Sequence, residues 1–228
     1  MTGPTKSSAV LFSGGLDSAV VLALELSHGG RVKPIHVRAG LAWEEAEARA
    51  IDRLLASAPY AGATEPLATL GVDMRDVYAP THWAVTGHPP AFDTPDEDVY
   101  LDGRNIVLIA KAAVLCARLA INRLVLGPLA GNPFPDATPQ FFVAMAHAMS
   151  LGLGHPLEVA TPLTDLHKEE VTQLGLTLNV PLGLTLSCMN PQGDLHCGQC
   201  SKCRERHDGF NAAGVVDPTV YADLLRRP

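Results

Sequence analysis

Ser13-Gly14-Gly15-Leu16-Asp17-Ser18 separates one apolar run, Ala9-Val10-Leu11-Phe12, from a second that extends from Ala19 to Leu26. The first run has the length of a buried parallel strand and the second that of the helix following it. Paired glycines let the backbone turn sharply and approach a ligand closely, and Ser13 and Ser18 add hydroxyls beside the free amides of a helix N-terminus. Such a turn suits an oligophosphate. The two commoner nucleotide fingerprints, Gly-x4-Gly-Lys-Ser/Thr and Gly-x-Gly-x2-Gly, are absent from the chain, so a kinase or dehydrogenase reading loses support. The plainer reading of the stretch is a strand-to-helix turn with a serine N-cap.

Outward from this turn, strand-like runs alternate with helix-length segments. This pattern predicts an α/β fold, a doubly wound parallel sheet covered by helices on both faces. Strands are expected at 9–12, 32–37, 65–70, 123–127 and 158–161, and helices at 19–26, 42–58, 105–120, 140–151 and 165–174. The segment 105–120 is nearly all apolar and reads as a buried helix. From Thr81 to Gly103 the chain is rich in Pro, Gly and acidic residues and reads as a long loop, either a lid or a solvated connection. Its end, Asp102-Gly103-Arg104-Asn105, delivers an arginine and an asparagine near the carboxyl ends of strands, where open parallel sheets bind ligands.

With 228 residues, 47% hydrophobic and 18% charged, the chain is globular and has room for one main domain with a small appended module. No apolar run is long enough to span a bilayer, and the N-terminus lacks a secretory pattern, so a cytoplasmic protein is expected. A formal charge of −7 argues against a sequence-independent grip on DNA or RNA and favours a small substrate.

Four of the five cysteines, Cys188, Cys197, Cys200 and Cys203, form a C-x8-C-x2-C-x2-C array with Gly198 inside it. Reduced thiolates so spaced can close a tetrahedral shell around zinc, a structural site with no position left for water. The segment from Val180 onward has few large apolar residues, and a metal would supply the order that its own core cannot. Disulfides and an iron–sulfur cluster are the rivals. The bacterial ferredoxin run continues with a further Cys-Pro, whereas position 207 here is His207. Cys116, inside the apolar helix, reads as core. His196 and His207 flank the array as replacement ligands should a thiol prove remote, and Trp43 and Phe134 read as packing residues or as stacking partners of a heterocycle.

Ser-Gly-Gly-x-Asp-Ser after a strand resembles the pyrophosphate loop of the ATP pyrophosphatase superfamily. Together with Gly-Arg-Asn opening a long apolar helix, Thr-Pro-Leu followed by Lys168, and a C-terminal four-cysteine knot, in this order, it makes nearly the whole chain resemble the 7-cyano-7-deazaguanine synthase family. The resemblance implies an adenine nucleotide alpha hydrolase-like domain over 1–180 and a zinc-binding subdomain over 181–228. It also implies adenylation of a carboxylate, 7-carboxy-7-deazaguanine, by ATP and its conversion with ammonia to amide and nitrile. Ser13, Gly14, Gly15, Leu16, Asp17 and Ser18 would then hold the pyrophosphate end of ATP, with Asp17 a Mg2+ ligand or an anchor behind one. Lys168 would meet developing charge as a point cation and Arg104 would grip phosphate or carboxylate with its fork. Many members are homodimers.

Two loops depart from the family pattern. Where members carry Tyr-Gly-Gln-x-His, this chain has Ala39-Gly40-Leu41-Ala42-Trp43-Glu44-Glu45, and where they carry Asp-Tyr-Ser-Gly-Tyr-Pro-Asp it has Gly131-Asn132-Pro133-Phe134-Pro135-Asp136. The proline usual before Gly-Arg-Asn is Asp102. ATP activation and the knot are therefore expected more firmly than the acceptor, and a related acid, a sulfur-transfer reaction on a tRNA base, or a nucleotide-binding protein without turnover stand as alternatives.

Overall fold

The computed structural model describes residues 7–223. The apolar run before the glycines becomes β1 (Ser7–Leu11), the centre of a parallel sheet completed by β2 (Arg31–Arg38), β3 (Ala68–Gly71), β4 (Arg123–Val125) and β5 (Glu158–Ala160) in the order β3-β2-β1-β4-β5. Strand order reverses at β1, which pairs β2 on one side and β4 on the other. The crevice at that switch point, outside the carboxyl ends of the strands, is where such sheets bind ligands.

Among the described residues seven α-helices accompany the strands: α1 (Leu16–Ser27), α2 (Glu44–Leu55), α3 (Trp83–Thr86), α4 (Arg104–Arg118), α5 (Pro139–Leu153), α6 (Lys168–Thr177) and α7 (Ser201–Ala212). Alternate residues of β1 face opposite sides. Val10 and Phe12 enter one core with α1, α6 and Phe210 of α7, while Ala9 enters the other with Ile35, Leu124 and the inner face of α4. The sheet is thus covered on both faces, as the alternation of runs predicts.

Three segments differ from their sequence reading. The helix expected from Asp165 begins at Lys168, because turns at Thr161–Thr164 and Leu163–Leu166 use the preceding backbone and His167 caps the helix with Glu170 reaching back to its amide. The apolar helix α4 buries only the stripe Ile109, Ala112, Ala113 and Cys116; Ile106, Val114 and Leu119 are nearly half exposed. Lastly, α7 has no apolar periodicity to announce it. Its buried Arg206 donates to the Leu182 carbonyl (2.7 Å) and the Thr185 hydroxyl (2.8 Å) and lies 5.1 Å from the Phe210 ring centroid.

Between Thr81 and Gly103 the chain contains α3 and one 3-10 turn, Asp96–Val99. Arg204 of α7 holds this segment, donating to the carbonyls of Phe92 (2.8 Å) and Thr94 (2.7 Å) and to the Asp96 carboxylate (2.7 Å). Among the described residues no helix is long and apolar enough to cross a membrane.

Candidate functional site

The Ser13–Ser18 turn is braced from within. Ser18 Oγ donates to the Gly15 carbonyl at 3.0 Å and accepts from the Ser13 amide at 3.3 Å, and the Gly15 amide donates to Ser13 Oγ at 3.3 Å. Gly14 has φ +76°, and a Cβ there would stand 3.1 Å from Ile51 Cγ1, so a side chain would be strained in conformation and crowded in position. Gly15 is the N-cap of α1 and no side chain bonds to the helix start, which leaves the first amides of α1 open to an anion. Leu16 turns its side chain into the core, so only its backbone belongs to the turn.

Lys168, the first residue of α6, reaches across to this turn. Its Nζ donates to both carboxylate oxygens of Asp17 (2.9 and 2.8 Å) and pairs with Glu205 of α7 at 2.8 Å. Lys202 also pairs with Glu205. Burial alone would lower the Lys168 ammonium, but the charges of Asp17 and Glu205 outweigh it and leave the amine well above its ordinary value. Burial would likewise raise Glu205, and the two lysines reverse that and hold it well below the usual carboxylate range. Asp17 is engaged by Lys168 on both oxygens.

Two adjoining cavities open here. One, of about 190 Å³, lies between the turn and the cysteine helix and is bordered by Asp17, Lys168, Lys202, Glu205 and Arg206. The other, of about 290 Å³, follows the strand ends past His36 to Tyr100, Asn105, Phe134 and Asp136. Ser13, Gly15, Asp17, Glu47, Arg104, Met189 and Lys202 border both. Arg104 begins α4 at this junction, and its buried Nε has no hydrogen-bond partner among the described residues. A buried guanidinium N–H with no partner in the chain fits a site that awaits an anionic oxygen. Phe134 stacks on Tyr100 at 5.1 Å, and Asp136 accepts from the Asn105 amide at 2.9 Å, with burial raising its carboxyl.

The divergent loop at 39–45 has a different fate. Ala39, Leu41 and Trp43 pack with Met74, Tyr78, Ala84 and Leu101, and Trp43 stacks on Trp83 at 5.7 Å. Of the two departing loops, only 131–136 lines the larger cavity, whereas 39–45 is mostly core or the start of α2 and reaches the smaller one through Trp43.

All four cysteines come together, buried, with their sulfurs within 4.8 Å of one another. The closest approaches are 3.5 Å (Cys200–Cys203), 3.9 Å (Cys197–Cys203) and 4.0 Å (Cys188–Cys200). Four thiolates about 2.3 Å from one tetrahedral ion lie roughly 3.8 Å apart. Backbone amides of Asn190 and Cys197 donate to Cys188 Sγ, and that of Gln199 to Cys197 Sγ, a hydrogen-bond pattern that favours thiolates. The donor set thus fits one soft tetrahedral ion. Cys200 caps α7 and Cys203 lies within it, so half of the knot is built on a helix start and not only on turns. His196 points elsewhere, its Nε2 accepting the Ser187 amide at 3.0 Å, and His207 bonds to Asn211. Cys116 is core.

Sequence reasoning missed Glu47, Lys202 and Glu205. Glu47 left a trace: it shares the inward stripe of α2 with Ala46, Ala50, Ile51 and Leu54. Lys202 and Glu205 carried no comparable signal, because α7 itself was not legible.

Comparison with known proteins agrees with the fold. Residues 7–214 match the family described as queuosine biosynthesis protein QueC. The chain is 34% identical over 222 residues to the 7-cyano-7-deazaguanine synthase of Methanothrix thermoacetophila, covering 92% of this chain and 96% of the relative. It is 35% identical over 227 residues to the enzyme of that name from Xanthomonas campestris pv. campestris strain B100, covering 95% and 98%. Among solved structures, a predicted subunit of tRNA methyltransferase from Methanocaldococcus jannaschii superposes with TM-score 0.50 at 14% identity, over 96% of this chain and 93% of that one, a likeness of fold alone.

Proposed function

The chain belongs to the QueC family of queuosine biosynthesis proteins, and from that premise we propose that it is a 7-cyano-7-deazaguanine synthase. In this reading it is an ATP-dependent carbon–nitrogen ligase that adenylates 7-carboxy-7-deazaguanine and converts it with ammonia to the amide and then the nitrile. The observation that carries the reading is the meeting of the braced turn, Lys168, Lys202 and Arg104 around two joined cavities.

A carboxylate is a poor electrophile until its oxygen is joined to a phosphoryl group, and catalysis of that transfer is positioning plus neutralisation of charge. The open amides of α1 with the Ser13–Ser18 turn would seat the pyrophosphate end of ATP. Lys168 and Lys202 would neutralise it, and Arg104, at the junction, would hold the reacting phosphate or carboxylate oxygen. Asp17 would orient Lys168 and stand behind, or join, the oxygen ligands of Mg2+, which suits an all-oxygen shell of phosphate, carboxylate and water. The larger cavity, with Tyr100, Phe134 and Asp136, would take the acceptor. In the knot Cys188, Cys197, Cys200 and Cys203 would hold zinc as a structural ion. Residues 1–180 would then be the nucleotide-binding part and 181–228 the metal-bearing part of a cytoplasmic homodimer.

The test is direct. With ATP, Mg2+, ammonia and 7-carboxy-7-deazaguanine, the protein should release pyrophosphate and AMP and form a product of nitrile mass. Pyrophosphate release with another carboxylic acid but not with this one would move the acceptor; none with any acid would overturn the ligase reading.

A further inference from the structure

Among the acidic side chains at the site, Glu47 and Asp136 form no ion pair, and of these Asp136 has both carboxylate oxygens bonded by Asn105. Glu47 projects from the inward stripe of α2, buried between Ala46 and Ala50, and borders both cavities beside the turn and Arg104. Trp43 Nε1 donates to its Oε1 at 3.2 Å, and no described residue donates to Oε2. Asp17 is held by Lys168 on both oxygens, Glu205 by two lysines, and Asp136 by Asn105. Glu44, on the same helix, is held by the Ala39 amide and Arg38. A carboxylate so placed has one oxygen fixed by an indole and the other free at the point where the loop, Arg104 and both cavities meet.

We propose that Glu47 accepts the proton released when ammonia attacks the adenylated carbon. This assignment rests on the ligase reading above. In the step, the nitrogen lone pair forms the new C–N bond, the bond from carbon to the bridging oxygen breaks with its electron pair leaving on AMP, and one N–H proton passes to Glu47 Oε2. Amide, AMP and a protonated Glu47 result, so atoms and charge balance without a further reactant. A base for this task works best with a proton affinity near the working pH. Burial, with the neighbouring Glu44 charge, pushes Glu47 up to about 7 against the opposing pull of Arg104 and the Trp43 indole. The remaining charges around the joined cavities are Lys168, Lys202, Asp17, Glu205, Arg206 and Asp136.

The experiment separates activation from nucleophilic attack by comparing wild type, E47Q and E47D. Adenylate formation is read by carboxylate-dependent exchange of labelled pyrophosphate into ATP and by hydroxamate trapping with hydroxylamine, a nucleophile that is largely neutral and needs less help from a base. We expect E47Q to keep both within about threefold while ammonia-dependent amide formation falls on the order of 100-fold or more. The acidic limb of the wild-type rate, near pH 7, should be missing in E47Q and present in E47D. Equal loss of exchange, hydroxamate and amide in both variants, or a loss of exchange that extra Mg2+ restores, would make Glu47 a positioning group or a metal ligand and overturn the proposal. An unchanged amide rate in E47Q would do so as well. Absence of exchange and hydroxamate in the wild type would instead sink the ligase reading and this assignment with it.

Discussion

At the scale of single residues, two positions give sharp expectations. Gly14 combines φ +76° with backbone and side-chain atoms of Ile51 at 3.1 to 3.3 Å from where a Cβ would stand. Gly14→Ala must therefore either hold a left-handed alanine, at about 1 to 2 kcal/mol, or shift the turn and its amides. Calorimetry should show ATP affinity lowered at least tenfold, and thermal unfolding should show a melting temperature lower by roughly 2 to 8 °C, the shift that such a cost brings in a chain of this length. Glu47 gives the second. A carboxyl whose native value is raised, here from 4.5 to about 7, binds its proton more tightly in the folded chain than in the unfolded one. The stability from that proton is complete below 4.5 and lost as pH rises through about 7. E47Q, which mimics the protonated form, should thus match wild type in urea unfolding at pH 4 and exceed it by roughly 1 to 3 kcal/mol at pH 8. Equal stabilities at pH 8 would show that Glu47 is not desolvated.

At the scale of elements, the sheet and its covering helices were legible because β1 and α1 carry their apolar pattern in adjacent runs on either side of the glycines. The Ser13–Ser18 turn, Arg104 and the four cysteines could be singled out because short motifs mark them, and Lys168 through the family resemblance; the structure brings Lys168 to the turn and the cysteines to one another. Helix α7 was not: its order comes from Arg206, bonded to Leu182 and Thr185, from Phe210, and from two cysteines, all contacts distant along the chain. Lys202 and Glu205 were hidden with it. The same helix ties the 81–103 segment to the knot, because Arg204 follows Cys203 directly and Ala91 forms a bridge with Cys200. Removing the metal should therefore loosen two elements together. Purified protein should contain about one zinc per chain by mass spectrometry, and chelation should speed amide exchange in 201–212 and in 90–96 while β1 and α1 stay protected. Loss of protection in α7 alone would show that the segment does not depend on the knot. An Arg204→Ala variant, with metal retained, should loosen 90–96 only and raise the KM for the acceptor more than it lowers kcat, since Val99, Tyr100 and Leu101 border the larger cavity.

At the scale of the whole molecule, α4 and α5 present a surface that a solitary soluble domain rarely shows. Residues 139–153 contain no Asp, Glu, Lys or Arg. The outward stripe of α5 is apolar, with Val143 71% and Leu151 70% exposed, and α4 packed beside it adds Ile106 at 46% and Val114 at 48%. A helix that is apolar on its outer as well as its inner face belongs in an interior. The apolar run 105–120, read from sequence as a buried helix, is half right for the same reason: the chain buries one stripe of α4 and leaves the other outside. A second copy is the simplest cover, since a two-fold axis sets the exposed apolar residues of α5 against themselves, with His147 between them and Lys111 and Arg118 on α4 beside them. The homodimer proposed above should then form through α4 and α5, leaving the strand-end cavities open. Light scattering should give a dimer mass for the wild type, and Val143→Asp combined with Leu151→Lys should give a monomer that folds normally, because neither side chain touches the core. A dimer that survives both substitutions would place the interface elsewhere.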